Sequence, residues 1–379
     1  MGLLSIEILR RLPRGLLGMA AIVAACESYI ARNDLKFSRL EPDDWRSTSR
    51  AAANDLPAGG VLLFGDSQVK FGFSPLTIES KLGQPAHTLA IQGGQATSSY
   101  FLLRKALGSG VMPSAIVVDF EPHLLRDKLL ENSRMWAELA DLGECLELAW
   151  ASRDADAFAA MALGRALPSY LQRREIRSNI GAALRGETPP TAARLEMSRR
   201  NQGMNRGAIV MPRNAAVTRH DVAPWANPTP APWAPSPLNA DYARKFLQLA
   251  RDNHIPVYCA LMPVDAALQA KSEGSGMEGR YVGWLRWLQG QYPNLYVLDW
   301  RHAKYPPLAF MDALHLNKDG VASISVALGA FLERSSRGEG VDVRWVRMPE
   351  YKLDGTELAV EDSGLSDLVM RAKAGARRR

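Results

Sequence analysis

The sequence predicts an α/β domain built on a parallel sheet, and three observations carry that reading. Short, largely apolar runs recur along the chain, each soon followed by Gly, Pro or Asp. Stretches with apolar residues at helical spacing lie between them, and strands alternating with helices imply a parallel sheet. The chain is also large enough for one substantial core with residues to spare, at 379 residues, 47% hydrophobic and 23% charged. Disorder throughout is excluded.

The elements follow in chain order. Arg10, Arg11 and Arg14 precede the uncharged stretch Gly15 to Cys26, a basic region followed by an apolar one. The run stops at Glu27, short of the roughly 20 apolar residues a membrane span needs, so residues 1–31 read as a secretory signal or short signal anchor. Positive charge staying inside then places the remainder outside the cytoplasm. Val23-Ala24-Ala25-Cys26 also resembles a bacterial lipoprotein processing box, which would put a lipid on Cys26. A 12-residue apolar helix packed on the domain is the alternative.

Val61 to Phe64 is the first strand, a continuous apolar run between Gly60 and Gly65. His87 to Ile91, Ala115 to Phe120, Ile255 to Met262 and Leu295 to Leu298 read the same way, giving about five strands, with a further strand at Val341 to Val346. Tyr100 to Leu107, Asn239 to Asp252 and Tyr281 to Gln291 are expected as helices. The alternation breaks across 124–238, an insertion that is helix-rich to about Arg199 and Pro/Trp-rich from Gly203 to Pro237. Trp225 and Trp233 make this second half either a substrate-contacting lid or a surface loop pinned by its tryptophans. Residues 32–334 therefore form the main domain, and 335–379 a polar tail.

Charge and cysteine content narrow the chemistry. The net charge of +6 comes largely from Arg clusters at Arg10 to Arg14, Arg173 to Arg177 and Arg377 to Arg379. No nucleic-acid motif accompanies them, so nucleic acid is not expected as a partner, and lipid headgroups or acidic polymers fit better. Cys26, Cys145 and Cys259 are too few and too scattered for a disulfide framework or a zinc site, and neither metal nor cofactor is expected. Cys259 lies inside an apolar run and reads as a small buried side chain.

Two short motifs carry the chemistry. Gly65-Asp66-Ser67 follows the first strand, so Ser67 sits at the carboxyl end of a strand, where open parallel sheets place their sites. Its amide opens a helix and can face a developing oxyanion. Asp66 reads as a turn former. Met311-Asp312-Ala313-Leu314-His315-Leu316-Asn317 follows the fifth strand, and an Asp three residues before a His can hold one imidazole nitrogen and fix its tautomer. Ser67, His315 and Asp312 are thus the expected nucleophile, base and orienting acid. His87, His220, His254 and His302 have no partner at a meaningful spacing.

Gly65-Asp66-Ser67 together with Asp312 to Asn317 resembles the first and last blocks of the SGNH (GDSL-like) hydrolase superfamily, over about Gly60 to Leu332 without the insertion. The resemblance implies a flavodoxin-like three-layer α/β/α sandwich and an esterase, lipase, thioesterase, acetylesterase or O-acetyltransferase. It also implies a second-block glycine whose amide joins Ser67 in the oxyanion hole, Gly94 or, alternatively, Gly93. The third block departs from the family: its usual Gly-x-Asn-Asp is replaced by Asp119-Phe120-Glu121-Pro122-His123. Losing the Asn donor would cost roughly 3 kcal/mol of transition-state stabilisation unless it is replaced. His123 is the nearest candidate, although a histidine after a strand is more often structural. Similar departures occur in the exported branch that resembles exopolysaccharide O-acetylation proteins. The expected partners are accordingly an acylated carbohydrate or other small ester and, through the N-terminus, a membrane. The expected function is a serine esterase or acyltransferase, with a catalytically weakened scaffold subunit or a lipid esterase as alternatives. Oligomeric state is not legible.

Overall fold

Six strands, each three to five residues long, lie side by side in one all-parallel sheet of order β2-β1-β3-β4-β5-β6. They are β1 (Val61–Phe64), β2 (Ala86–Thr88), β3 (Ala115–Val118), β4 (Val257–Leu261), β5 (Leu295–Asp299) and β6 (Trp345–Arg347). The computed structural model describes residues 14–33, 39–129, 135–187, 190–213, 220–222, 232–339, 343–353 and 360–376. Strands β1, β3 and β4 are buried along their whole length, which is why they read as unbroken apolar runs rather than alternating ones.

Alternate residues of each strand feed two separate cores. Leu62, Phe64, Ile116, Val118 and Cys259 face a layer containing α2 (Leu40–Asn54), α5 (Ala96–Gly108), α11 (Pro237–Asp252) and α13 (Met277–Gln291). Val61, Leu63, Val117, Tyr258 and Ala260 face α4 (Pro75–Leu82) and α14 (Lys318–Ser336). The result is the three-layer α/β/α sandwich of flavodoxin-like order.

Local chemistry sets the helix ends. Helix α11 starts two residues before the predicted Asn239 because Pro237 sits in its first turn and the Ser236 hydroxyl accepts from the Asn239 amide at 3.3 Å. Helix α5 starts four residues before the predicted Tyr100, where the Ser98 hydroxyl accepts from the Gln95 amide at 2.9 Å and donates to the Gln95 carbonyl at 2.7 Å.

Elsewhere tertiary contacts moved the boundaries. The strand expected at His87 to Ile91 is β2, Ala86–Thr88, although Leu89 and Ile91 still donate to Leu63 and Gly65 carbonyls beyond it. The extra strand expected at Val341 to Val346 is β6, paired with β5 through Val297 and Trp345; Val341 itself lies outside the described residues. The segment read as a polar tail thus extends the sheet. It also supplies α15 (Ser363–Ala376), which packs on α10 (Pro190–Met204), and an Arg200–Glu361 ion pair at 2.7 Å holds its approach.

The insertion consists of a 3-10 turn (Leu124–Arg126), α6 (Trp136–Leu139), α7 (Leu142–Ser152), α8 (Ala155–Ala166), α9 (Pro168–Leu184) and α10. Trp225 lies outside the described residues, whereas Trp233 is buried, donates to the Pro122 carbonyl at 2.7 Å and packs edge-on against Tyr281. Trp233 thus fixes the end of the loop that leads into α11.

The N-terminal helix α1 (Arg14–Arg32) is longer than its apolar run and continues through Glu27, whose carboxylate accepts from the Ser169 amide and hydroxyl at the start of α9. None of its residues is buried, and it is long and apolar enough to cross a membrane. Arg10 and Arg11 lie outside the described residues, as do Arg377 to Arg379.

Candidate active site

The site forms between β1 and β3, where the sheet's connections run off in opposite directions and leave a crevice at the carboxyl ends of the strands. A cavity of about 630 Å³ opens there, lined among others by Ser67, Gly93, His123, Met262, Tyr281 and Leu314.

Ser67 gets there through a turn that only glycine can make. Gly65 has φ of +135°, and a side chain on it would crowd the Asp119 amide at 3.2 Å. Asp66 then caps the short helix α3 (Ser67–Gly72) by accepting from the Gln68 amide at 2.8 Å, so Ser67 is the first helical residue.

His315 arrives from the opposite side of the crevice on the loop between β5 and α14. Its Nε2 lies 2.8 Å from Ser67 Oγ, and its Nδ1 lies 2.8 Å from Asp312 Oδ2. Burial pushes the Asp312 carboxyl up, but the hydrogen bond and charge of His315 and the amides of Leu314 and His315 outweigh it and hold the group below its ordinary value. Phe71 packs edge-on against the imidazole at 5.3 Å. The Asn317 side chain of the same motif is structural, donating to the Leu308 and Phe310 carbonyls and capping α14. A hydroxyl, an imidazole and a carboxylate are thus joined in one chain that can move a proton off Ser67.

The structure separates the two second-block glycines, Gly94 and its alternative Gly93. The Gly94 amide donates to the Ile91 carbonyl at 2.9 Å, and a Cβ on Gly94 would come within 2.5 Å of the Gly65 carbonyl oxygen. Gly94 is therefore a close-packing glycine, and it is Gly93, at φ +68°, that lines the cavity.

A clamp that sequence reasoning missed fixes the two halves of the nucleophile side. Asp44 on α2 pairs with Lys70 of α3 at 2.6 Å and accepts from the Gln92 amide at 2.9 Å, while Trp45 Nε1 donates to the Gln92 carbonyl at 2.9 Å. Asp44 and Lys70 are both fully buried. Its sequence signal was faint: a lysine inside the apolar run after Ser67 must find a buried acid.

Beside Ser67 in the cavity wall lies a second unexpected feature, the buried carboxyls Asp66, Asp119 and Glu121. Burial and the nearby Glu121 push Asp66 up to about 7. Burial likewise pushes Glu121 up to about 7, against the Leu124 and His123 amides that hold its charge. Asp119 is raised well above its ordinary value by burial, Asp66 and Glu121. His123 lines the cavity, and burial lowers its pKa below the ordinary imidazole value.

The other histidines stay out of the crevice chemistry: burial and Lys70 lower His87 to about 4, and His220 bonds the Pro307 carbonyl at 3.0 Å. Among the described residues, Glu273, Glu278 and His302 have atoms within 4.8 Å of one another, at a spacing suited to a metal. Glu278, however, is paired with Arg301 and accepts from Gln269, which also donates to Glu273, so these acids already have protein partners.

No protein-family model matches the chain, and no curated protein matches it either.

Proposed function

We propose that the chain is an SGNH-like serine esterase or acyltransferase, exported and tethered to a membrane by α1, acting on a small acyl group, acetyl in particular, of a carbohydrate or envelope polymer. The observation that carries this reading is the Ser67–His315–Asp312 chain at the rim of a cavity at the sheet's switch point. In this mechanism His315 Nε2 takes the Ser67 proton as Oγ attacks the acyl carbonyl, and Asp312 stabilises the resulting imidazolium. The acyl group passes to Ser67, and His315 returns the proton to the departing alcohol. A second cycle, with water or an acceptor hydroxyl as nucleophile, releases the acyl group. The amides of Ser67 and Gly93 are the proposed oxyanion donors, and His123 is the side-chain candidate from the departed third block. No step requires a cofactor.

A fluorophosphonate probe should label the wild type at Ser67 and leave Ser67→Ala unlabelled. Equal labelling of the two would overturn the reading. A catalytically weakened binding subunit is the second reading, favoured by one observation: the three carboxyls beside Ser67 oppose a developing oxyanion whenever they ionise.

A further inference from the structure

Helix α9 leaves one side of its surface without protein cover, and the composition of that side is specific. Arg173, Arg177, Ile180 and Leu184 follow one another at spacings of four, three and four residues, which sets them in one stripe, and all four are exposed. Arg174 and Arg185 flank the stripe and are exposed as well. Leu184 is 84% exposed and Ile180 54%. Scattered exposed leucines are ordinary, but a stripe that combines them with this density of arginine is not. Arg174 and Arg177 form no ion pair among the described residues, and the one acid in the middle of the helix, Glu175, is held by Arg39 at 3.0 Å.

Position gives the stripe its meaning. Ser169, in the first turn of α9, is bonded to Glu27 of α1, and Arg39, immediately before α2, is bonded to Glu175 in the second turn of α9. Glu27 is five residues from the end of α1, which is about 7.5 Å of helix rise. The uncharged run of α1, Gly15 to Cys26, ends one residue before Glu27. If α1 enters a membrane with that run in the hydrocarbon, Glu27 and the start of α9 bonded to it lie at the edge of the headgroups on the side where the domain lies.

We infer that α9 is a membrane-surface helix that lays Ile180 and Leu184 into the interface and reads anionic lipid headgroups with Arg173, Arg174 and Arg177. The inference rests on the reading of α1 as a membrane anchor. Arginine suits this position because its stem can lie along apolar surface while the guanidinium reaches phosphate. The two contacts together would hold the domain at a defined tilt, where a single helix would leave it free to swing.

The test uses the full chain reconstituted into phosphatidylcholine vesicles with and without phosphatidylglycerol. A nitroxide is placed at Leu184→Cys in a Cys26→Ala background, since Cys145 and Cys259 are buried. Collision with oxygen, which concentrates in lipid, is compared with collision with a water-soluble nickel chelate. The expected result is a several-fold rise in the oxygen-to-nickel ratio in the phosphatidylglycerol vesicles, abolished when Arg173, Arg174 and Arg177 are all changed to Glu although the protein still resists an alkaline wash. A label that stays nickel-accessible in protein retained by the vesicles overturns the inference and leaves the anchor standing. An equal ratio in both lipids overturns the recognition of anionic headgroups. Protein that washes off the vesicles overturns the anchor and the inference with it.

Discussion

Asp312 sits at the rim of the crevice with three donors around one carboxylate, the Nδ1 of His315 and the amides of Leu314 and His315, whereas Asp66, Asp119 and Glu121 sit beside Ser67 and largely face one another. The side chains are chemically alike and their pKa shifts run in opposite directions. Burial raises all of them and weighs most on Asp66 and Glu121, which face other acids, whereas Asp312 faces the His315 imidazole. A carboxylate paired with an imidazole can stabilise an imidazolium, while buried carboxyls gathered beside one another hold protons that they would release in water.

Changes to the Ser67–His315–Asp312 chain test this contrast, and the proposed function with it, most strongly. Ser67→Ala and His315→Ala should bring turnover of 4-nitrophenyl acetate to background, since nucleophile and base act as one unit. Asp312→Asn should cost on the order of 10⁴-fold in kcat by favouring the wrong imidazole tautomer. Glu121→Gln should keep kcat within about tenfold at neutral pH, because the amide reproduces the charge of a protonated carboxyl. Equal losses in Asp312→Asn and Glu121→Gln would break the distinction between the two sets of acids.

Next in size is the clamp behind the nucleophile. Asp44→Asn leaves the Lys70 ammonium buried without its counter-charge and should destabilise the fold by about 3–5 kcal/mol in urea unfolding. Asp44→Asn combined with Lys70→Met should recover most of that loss, because no orphaned charge then remains.

The buried acids themselves should show in the pH dependence of stability. Asp66 and Glu121 titrate at about 7 in the folded protein against ordinary values of 3.8 and 4.5. Between those limits the folded state holds protons that the unfolded state has released, so their contribution to stability is fully present below the lower values and is lost as pH rises through about 7. Glu121→Gln removes one of these groups, and its advantage over wild type in urea midpoint should grow from about pH 5 to about pH 8. An advantage that shrinks with pH would mean that Glu121 is ionised in the fold. The smallest effect is expected at Trp233→Phe, which loses the bond to the Pro122 carbonyl and should cost about 1 kcal/mol in the same assay.

The α/β class, the strands β1, β3, β4 and β5, and the Asp-x-x-His spacing were legible because each rests on local physics. An apolar run with no polar alternation must be buried on both faces, and two residues three apart on one turn must be neighbours. The clamp and the acid cluster were not legible in the same way. Asp44 and Lys70 are separated by 26 positions, and Asp66, Asp119 and Glu121 come from two strand ends that only the sheet order makes adjacent.

By itself, then, the sequence determined the buried strands and the helices between them, and that Ser67 would follow the first strand and the Asp312–His315 turn the fifth. The tertiary structure alone decided that Gly93 rather than Gly94 faces the cavity, that β6 extends the sheet, and that Glu121 shares the cavity wall with Ser67. The reason is that hydrophobic periodicity and turn chemistry act within a few residues of one another. The direction of an amide or the charge of a buried acid depends instead on which distant groups the fold brings within hydrogen-bond reach.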